Sequence, residues 1–125
     1  MIDHLDHLVL TTAAPEACID FYTRVLGMSL ERFGEGRIAF RFGRQKINLH
    51  VMHHEFEPKA DIPTPGSLDL CFIADRPLDA VIAQLDLLGA VIVEGPVIRT
   101  GATSKIRSIY LRDPDQNLIE ISELV

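Results

Sequence analysis

The sequence predicts an α+β fold assembled from two copies of one module: a strand, a helix, then three strands. Two observations predict it. First, landmarks recur at an offset of 62 residues, where Pro15 answers to Pro77, Leu26-Gly27 to Leu88-Gly89, and His7 to Asp69. Second, each half opens on a short apolar stretch, passes through helical spacing, and then returns to alternation.

The elements follow in order. Residues 4–11 read as a strand. Pro15 opens a helix, since proline is pre-organised for a first helical turn. Ala17, Cys18, Phe21, Tyr22, Val25 and Leu26 keep helical spacing, and Gly27 supplies the stop. Met28 to Phe33 is a strand, followed by a turn at Gly34-Glu35-Gly36. Residues 37–42 alternate polar and apolar as a half-buried strand does. After Gly43-Arg44-Gln45, residues 47–52 form the fourth strand. Residues 53–66 hold three prolines and few apolar side chains and serve as the linker, with His53 and His54 solvated.

The second half restarts at Ser67. Leu68 to Ala74 is a strand. Pro77 to Leu88 is a helix with Leu78, Val81, Ile82, Leu85 and Leu88 on one face. Val91 to Glu94 begins a strand, and a loop is expected over 95–105. Residues 106–111 and 118–122 are the last two strands, joined by the turn sequence Asp113-Pro114-Asp115-Gln116-Asn117. Gly27 to His50 spans 23 residues and Gly89 to Glu120 spans 31, so the second half is longer by about eight. The expected loop at 95–105 accommodates them.

The chain of 125 residues suits one domain with its own core: module 1 at 4–52, the linker at 53–66, and module 2 at 67–125. A net charge of −6 argues against nucleic acid, which needs a basic stripe. No apolar run is long enough to span a membrane, and the first residues lack the pattern of a signal peptide. A cytoplasmic location is expected. Cys18 and Cys71 are expected to be buried thiols without a disulfide.

Four potential metal donors stand in four strands. His7 is in the first strand of its half and His50 in the last; Asp69 and Glu120 occupy the corresponding strands of the other half. Leu49 and Val51 bracket His50, and Ile119 and Ile121 bracket Glu120. A charged group in that setting needs a partner, a hydrogen bond or a metal. Two imidazoles with one or two carboxylates suit a divalent first-row ion: zinc, nickel, iron, manganese or cobalt. Asp69 is either a ligand or a residue that orients one. A nucleophilic serine triad is set aside because no GxSxG elbow occurs.

Three stretches carry a resemblance: Asp6-His7-Leu8-Val9-Leu10, residues 21–28 (Phe-Tyr-Thr-Arg-Val-Leu-Gly-Met), and residues 112–121 (Arg-Asp-Pro-Asp-Gln-Asn-Leu-Ile-Glu-Ile). On these the chain resembles the vicinal oxygen chelate superfamily, which includes glyoxalase I, fosfomycin-resistance transferases, bleomycin-resistance proteins and extradiol dioxygenases. Within it the chain is most similar to small glyoxalase domain-containing, virulence-type proteins. The resemblance implies two βαβββ modules forming a curved, mostly antiparallel, eight-stranded open sheet around a metal, with modules paired within a chain or across a homodimer. It implies metal ligands at His7, His50, Asp69 and Glu120. Ser104 and Tyr110 fall at the spacing of a substrate-binding Ser and Tyr in the fosfomycin enzymes. The departures matter too. Glyoxalase I usually has Glu and His where this chain has His50 and Asp69. Thr100 stands where the fosfomycin enzymes carry Lys.

The expected function is therefore that of a metal-dependent lyase or isomerase. Its small-molecule substrate would chelate the metal, as a thiol hemithioacetal of methylglyoxal does, and Glu120 would move the proton. The alternatives are another metal enzyme of this superfamily (a dioxygenase, epimerase or thiol transferase) and a metal-free binding protein of the bleomycin-resistance type.

Overall fold

The computed structural model describes all 125 residues. The chain divides into two compact units, Met1–Ser67 and Leu68–Val125. Each contains one four-stranded open sheet.

In the first unit the elements are β1 (His7–Thr12), α1 (Pro15–Asp20), β2 (Ser29–Phe33), β3 (Arg37–Phe42) and β4 (Gln45–Val51). The strand order is β1-β4-β3-β2, with β1 parallel to β4 and the other pairs antiparallel. Pro15 sits in the first helical turn as expected. The helix does not stay α-helical to Leu26, however. Phe21–Val25 winds as a π-helix, and the amide of Leu26 reaches back to the carbonyl of Phe21. The wider turn goes with Tyr22, fully buried and stacked on Phe40 at 5.1 Å between ring centres. Leu10, Phe40, Ile47 and Leu49 complete this core. Each such side chain contributes roughly 1.5–3 kcal/mol through burial.

The second unit repeats the plan: β5 (Asp69–Ile73), α2 (Leu78–Leu87), β6 (Glu94–Thr100), β7 (Lys105–Arg112) and β8 (Leu118–Leu124), in the order β5-β8-β7-β6. Leu78, Leu85, Ile109, Leu111 and Ile119 are its buried apolar residues. No side chain of Pro77 can cap α2. Glu123 does so from β8, accepting the amide of Leu78 at 2.7 Å, while Arg107 pairs with both Glu123 and Asp79. This places Arg107, within β7, in a structural ion-pair network.

The expected loop at 95–105 is instead mostly strand β6. A shift in register between Glu94 and Val97 absorbs Gly95-Pro96, so the ladder to β7 continues through Thr100. Bulges are where sheets tolerate Gly and Pro. The eight strands lie in two sheets of four, with four of the six strand pairs antiparallel. Cys18 is buried as expected, whereas Cys71 is exposed, because it lies on the face of β5 opposite the helix-side residues. No helix is long and apolar enough to cross a membrane.

Candidate functional site

Residues paired across a ladder share a face of the sheet. In the second unit one face therefore collects Asp69 and Cys71 from β5, Glu120 and Ser122 from β8, and Ser108 and Tyr110 from β7. Tyr110 stands directly opposite Glu120, and Cys71 stands beside it on the other flank. Asp69 pairs with Leu118, two residues short of Glu120. Asp69, Glu120 and Tyr110 line one cavity of about 550 Å³, together with Glu94, Arg99 and Arg112.

The carboxylate of Glu120 is held by hydroxyls. Ser108 donates to its Oε2 at 2.6 Å, and the hydroxyl of Ser122 lies 2.7 Å from that of Ser108. Tyr110 accepts a 3.0 Å hydrogen bond from Arg99, whose guanidinium also reaches Glu94. Burial raises the Tyr110 phenol above its ordinary value, and the nearby Glu120 charge adds to this. The phenol is thus a protonated donor at neutral pH. Desolvation, with Glu120 adding to it, likewise raises the Cys71 thiol, which argues against a thiolate nucleophile.

Ser104 turns its hydroxyl to the carbonyl of Lys105 rather than toward Glu120. The serine on the Glu120 carboxylate is Ser108. Strand parity was a signal for it: Ser108 lies two residues before Tyr110, and Ser122 two after Glu120.

In the first unit, His7 is the first residue of β1 and half-exposed. Its Nδ1 lies 2.8 Å from a carboxylate oxygen of Asp6. The hydrogen bond to His7 lowers the Asp6 carboxyl below its ordinary value. An ionised Asp6 selects the tautomer with the proton on Nδ1, leaving the lone pair on Nε2. That is how carboxylates prepare histidines for metals.

His50 is not brought beside His7. His7 pairs with Lys46, and His50 pairs with Thr11. The two histidines are offset by four residues, about 13 Å along the strands. Two nitrogens bound to one zinc-like ion lie within about 4 Å of each other. Measured from the first-strand donor, the residue two positions on in the partner strand is Asn48 in one unit and Glu120 in the other. Asn48, not His50, therefore occupies the place that answers to Glu120. His50 answers to Ser122. Both Asn48 and His50 are buried, and Asn48 Oδ1 and His50 Nε2 have no hydrogen-bond partner.

Within neither unit do three His, Cys, Asp or Glu side chains cluster as a metal site. Taken unit by unit, the donor chemistry of His7 in the first and of Asp69 and Glu120 in the second nonetheless fits a divalent ion. One imidazole has its lone pair freed by Asp6, and one carboxylate is oriented by Ser108 and shares a cavity with a second.

Residues 4–121 match the family model of the glyoxalase/bleomycin resistance protein/dioxygenase superfamily. The chain is 57% identical to virulence protein STM3117 of Salmonella typhimurium over 125 residues, covering 100% of this chain and 87% of that protein. The crystal structure of that protein matches with a TM-score of 0.97, covering 100% of this chain and 99% of the other. Glyoxalase domain-containing protein RDO1 of Mycosarcoma maydis is 57% identical over 118 residues, which is 94% of this chain and 66% of that protein. A lactoylglutathione lyase from Agrobacterium tumefaciens shares the fold at 22% identity and a TM-score of 0.75, covering 98% of this chain and 95% of the other.

Proposed function

The chain belongs to the glyoxalase/bleomycin resistance protein/dioxygenase superfamily, and from that premise we propose that it is a metal-dependent lyase or isomerase. Its substrate would be a small molecule offering two adjacent oxygens, such as a thiol hemithioacetal of methylglyoxal. The observation that carries this reading is the Glu120 carboxylate. One oxygen is fixed by Ser108, and the group lines a cavity with Asp69 and Tyr110.

His7, Asp69 and Glu120 are assigned as the metal donors, with Asp6 setting the tautomer of His7. A homodimer is part of this reading. When bound, the divalent ion supplies Lewis acidity to the oxygens of the substrate. The other roles fall to side chains of the chain. Glu120 takes and returns the proton next to the polarised carbon. Tyr110, protonated and paired with Arg99, donates to a substrate oxygen. Arg112, on the same cavity, places positive charge where an acidic substrate group would lie.

The test is elemental analysis of protein prepared without a histidine tag, alongside His7→Ala and Glu120→Ala. Turnover would be assayed on a panel of thiol hemithioacetals with each divalent metal. The reading expects near-stoichiometric metal in the parent and loss of it in both variants. It is abandoned if the parent takes up no metal after reloading, or is loaded and turns over none of the panel.

A further inference from the structure

The polar face of the first sheet holds a second cluster, on β3 and β4. His50 and Asn48 are only 2% and 6% exposed, yet His50 Nε2 and Asn48 Oδ1 have no partner in the chain. Buried polar atoms are nearly always paired, because an unpaired one loses its hydration without compensation. Here two such atoms belong to successive positions on one face of β4. They belong to residues two apart on one strand, so their side chains leave the same face about 6.6 Å apart. A single hydroxyl oxygen hydrogen-bonded to both at about 2.8 Å each joins polar atoms up to about 5.6 Å apart, so side chains that converge slightly from that spacing can share one.

Arg37 completes the cluster. Ile38 pairs with Leu49, which sets Arg37 opposite His50 in the same ladder. Arg24, Arg41, Arg76, Arg99 and Arg107 each pair with a carboxylate. The guanidinium of Arg37 has rings as its neighbours instead: it lies 5.1 Å from the centre of Phe33 and 5.0 Å from that of Phe56. Phe56 also meets the His50 ring edge-on, with centres 5.7 Å apart. Rings on a guanidinium leave its edge donors free, and that edge matches a carboxylate two bonds at a time. Burial, then the Arg37 charge, lowers the His50 pKa, so the ring is a neutral hydrogen-bonding group.

We propose that Arg37, Asn48 and His50 form a binding subsite for a small hydroxy carboxylate, with the carboxylate on Arg37 and the hydroxyl between Asn48 Oδ1 and His50 Nε2. Phe56 covers the subsite from the segment that follows β4. None of the three residues is among the assigned metal donors, so binding here needs no metal.

The experiment uses the full chain, chelator-treated and labelled with 15N-histidine. It is titrated with lactate, with propionate (the acid without the hydroxyl) and with propane-1,2-diol (the hydroxyl without the acid). Lactate is expected to shift the His50 Nε2 resonance saturably, with each half-probe weaker by at least about 10-fold. Asn48→Leu should bring lactate down to the affinity of propionate, and Arg37→Met to that of the diol. If Arg37→Met does not fold, Arg37→Lys keeps the charge, loses the two-pronged edge, and should still weaken lactate. The proposal is overturned if lactate leaves His50 unmoved in the parent. A resident water alone would give that result. It is equally overturned if the half-probes match lactate, or if the variants bind lactate as the parent does.

Discussion

The hydroxyl of Ser108 lies 2.6 Å from Oε2 of Glu120, with the hydroxyl of Ser122 completing a short buried chain behind it. Ser108 and Ser122 are both fully buried, so this chain is shielded from competing water. Groups that hold a ligand in place commonly change metal affinity by about 10–100-fold when removed. Ser108→Ala should therefore weaken divalent-metal binding by that order, and Ser108→Thr should restore most of it. Competition against a chromophoric chelator reads the affinity, with thermal unfolding as a control on the fold. Equal affinities for parent and Ser108→Ala would remove the buttressing role.

The turn between β7 and β8 hangs on Asp113. Its carboxylate accepts the backbone amides of Asp115 and Asn117 and the side-chain amide of Asn117, and Asn117 in turn accepts the amide of Leu68. Both residues are buried. Asp113→Ala leaves several of these groups without a partner and should cost about 2–4 kcal/mol. Urea unfolding measures it. A loss below half a kcal/mol, on the order of an exposed substitution, would show that water replaces the carboxylate.

At Gly95, where φ is +101°, an added Cβ would lie 2.4 Å from the carbonyl oxygen of Ser108. Backbone on the facing strand cannot yield as a flexible side chain can. Gly95→Ala should destabilise the chain by about 1–3 kcal/mol or more. Because the strained contact is with Ser108, the variant should also loosen Glu120, visible as weaker metal binding. A variant as stable as the parent would mean the bulge relaxes freely.

His50 gives a pH prediction of definite sign. Its pKa in the folded chain is lowered from 6.5, chiefly by burial and then by Arg37. Below about 6.5 the unfolded chain takes up a proton that the folded one refuses, so stability falls as pH falls. The contribution is complete above that value. Replacing His50 with Gln should flatten the stability profile between neutral and mildly acidic pH. Denaturant midpoints across that range decide it, and parallel profiles for the two proteins would rule the linkage out.

Much of the fold was legible because its signals are local. Pro15, Gly27, Gly89 and the alternation over residues 37–42 each act on their own neighbourhood, and the corresponding elements stand close to where they were expected. Strand β6 was hidden because Gly95, Pro96 and a polar run look like a loop until the ladder to β7 is known. Register was the other gap. His50 and Glu120 look equivalent in sequence, each flanked by apolar residues in the last strand of its half. Pairing with β1 and β5 decides otherwise, and it sets Asn48 in the place of Glu120. Pairing between strands far apart in the chain leaves no mark at either residue. Ser108, by contrast, was within reach, since it shares the parity of Tyr110.

The stack of Tyr22 on Phe40 has an optical consequence. The chain has two tyrosines and no tryptophan, and Tyr22 and Tyr110 fall in different units. Tyrosine emission is then a two-channel signal built into the native protein. Tyr22→Phe silences the Met1–Ser67 half and Tyr110→Phe the other, so the melting of each half is observable in the intact chain without a dye.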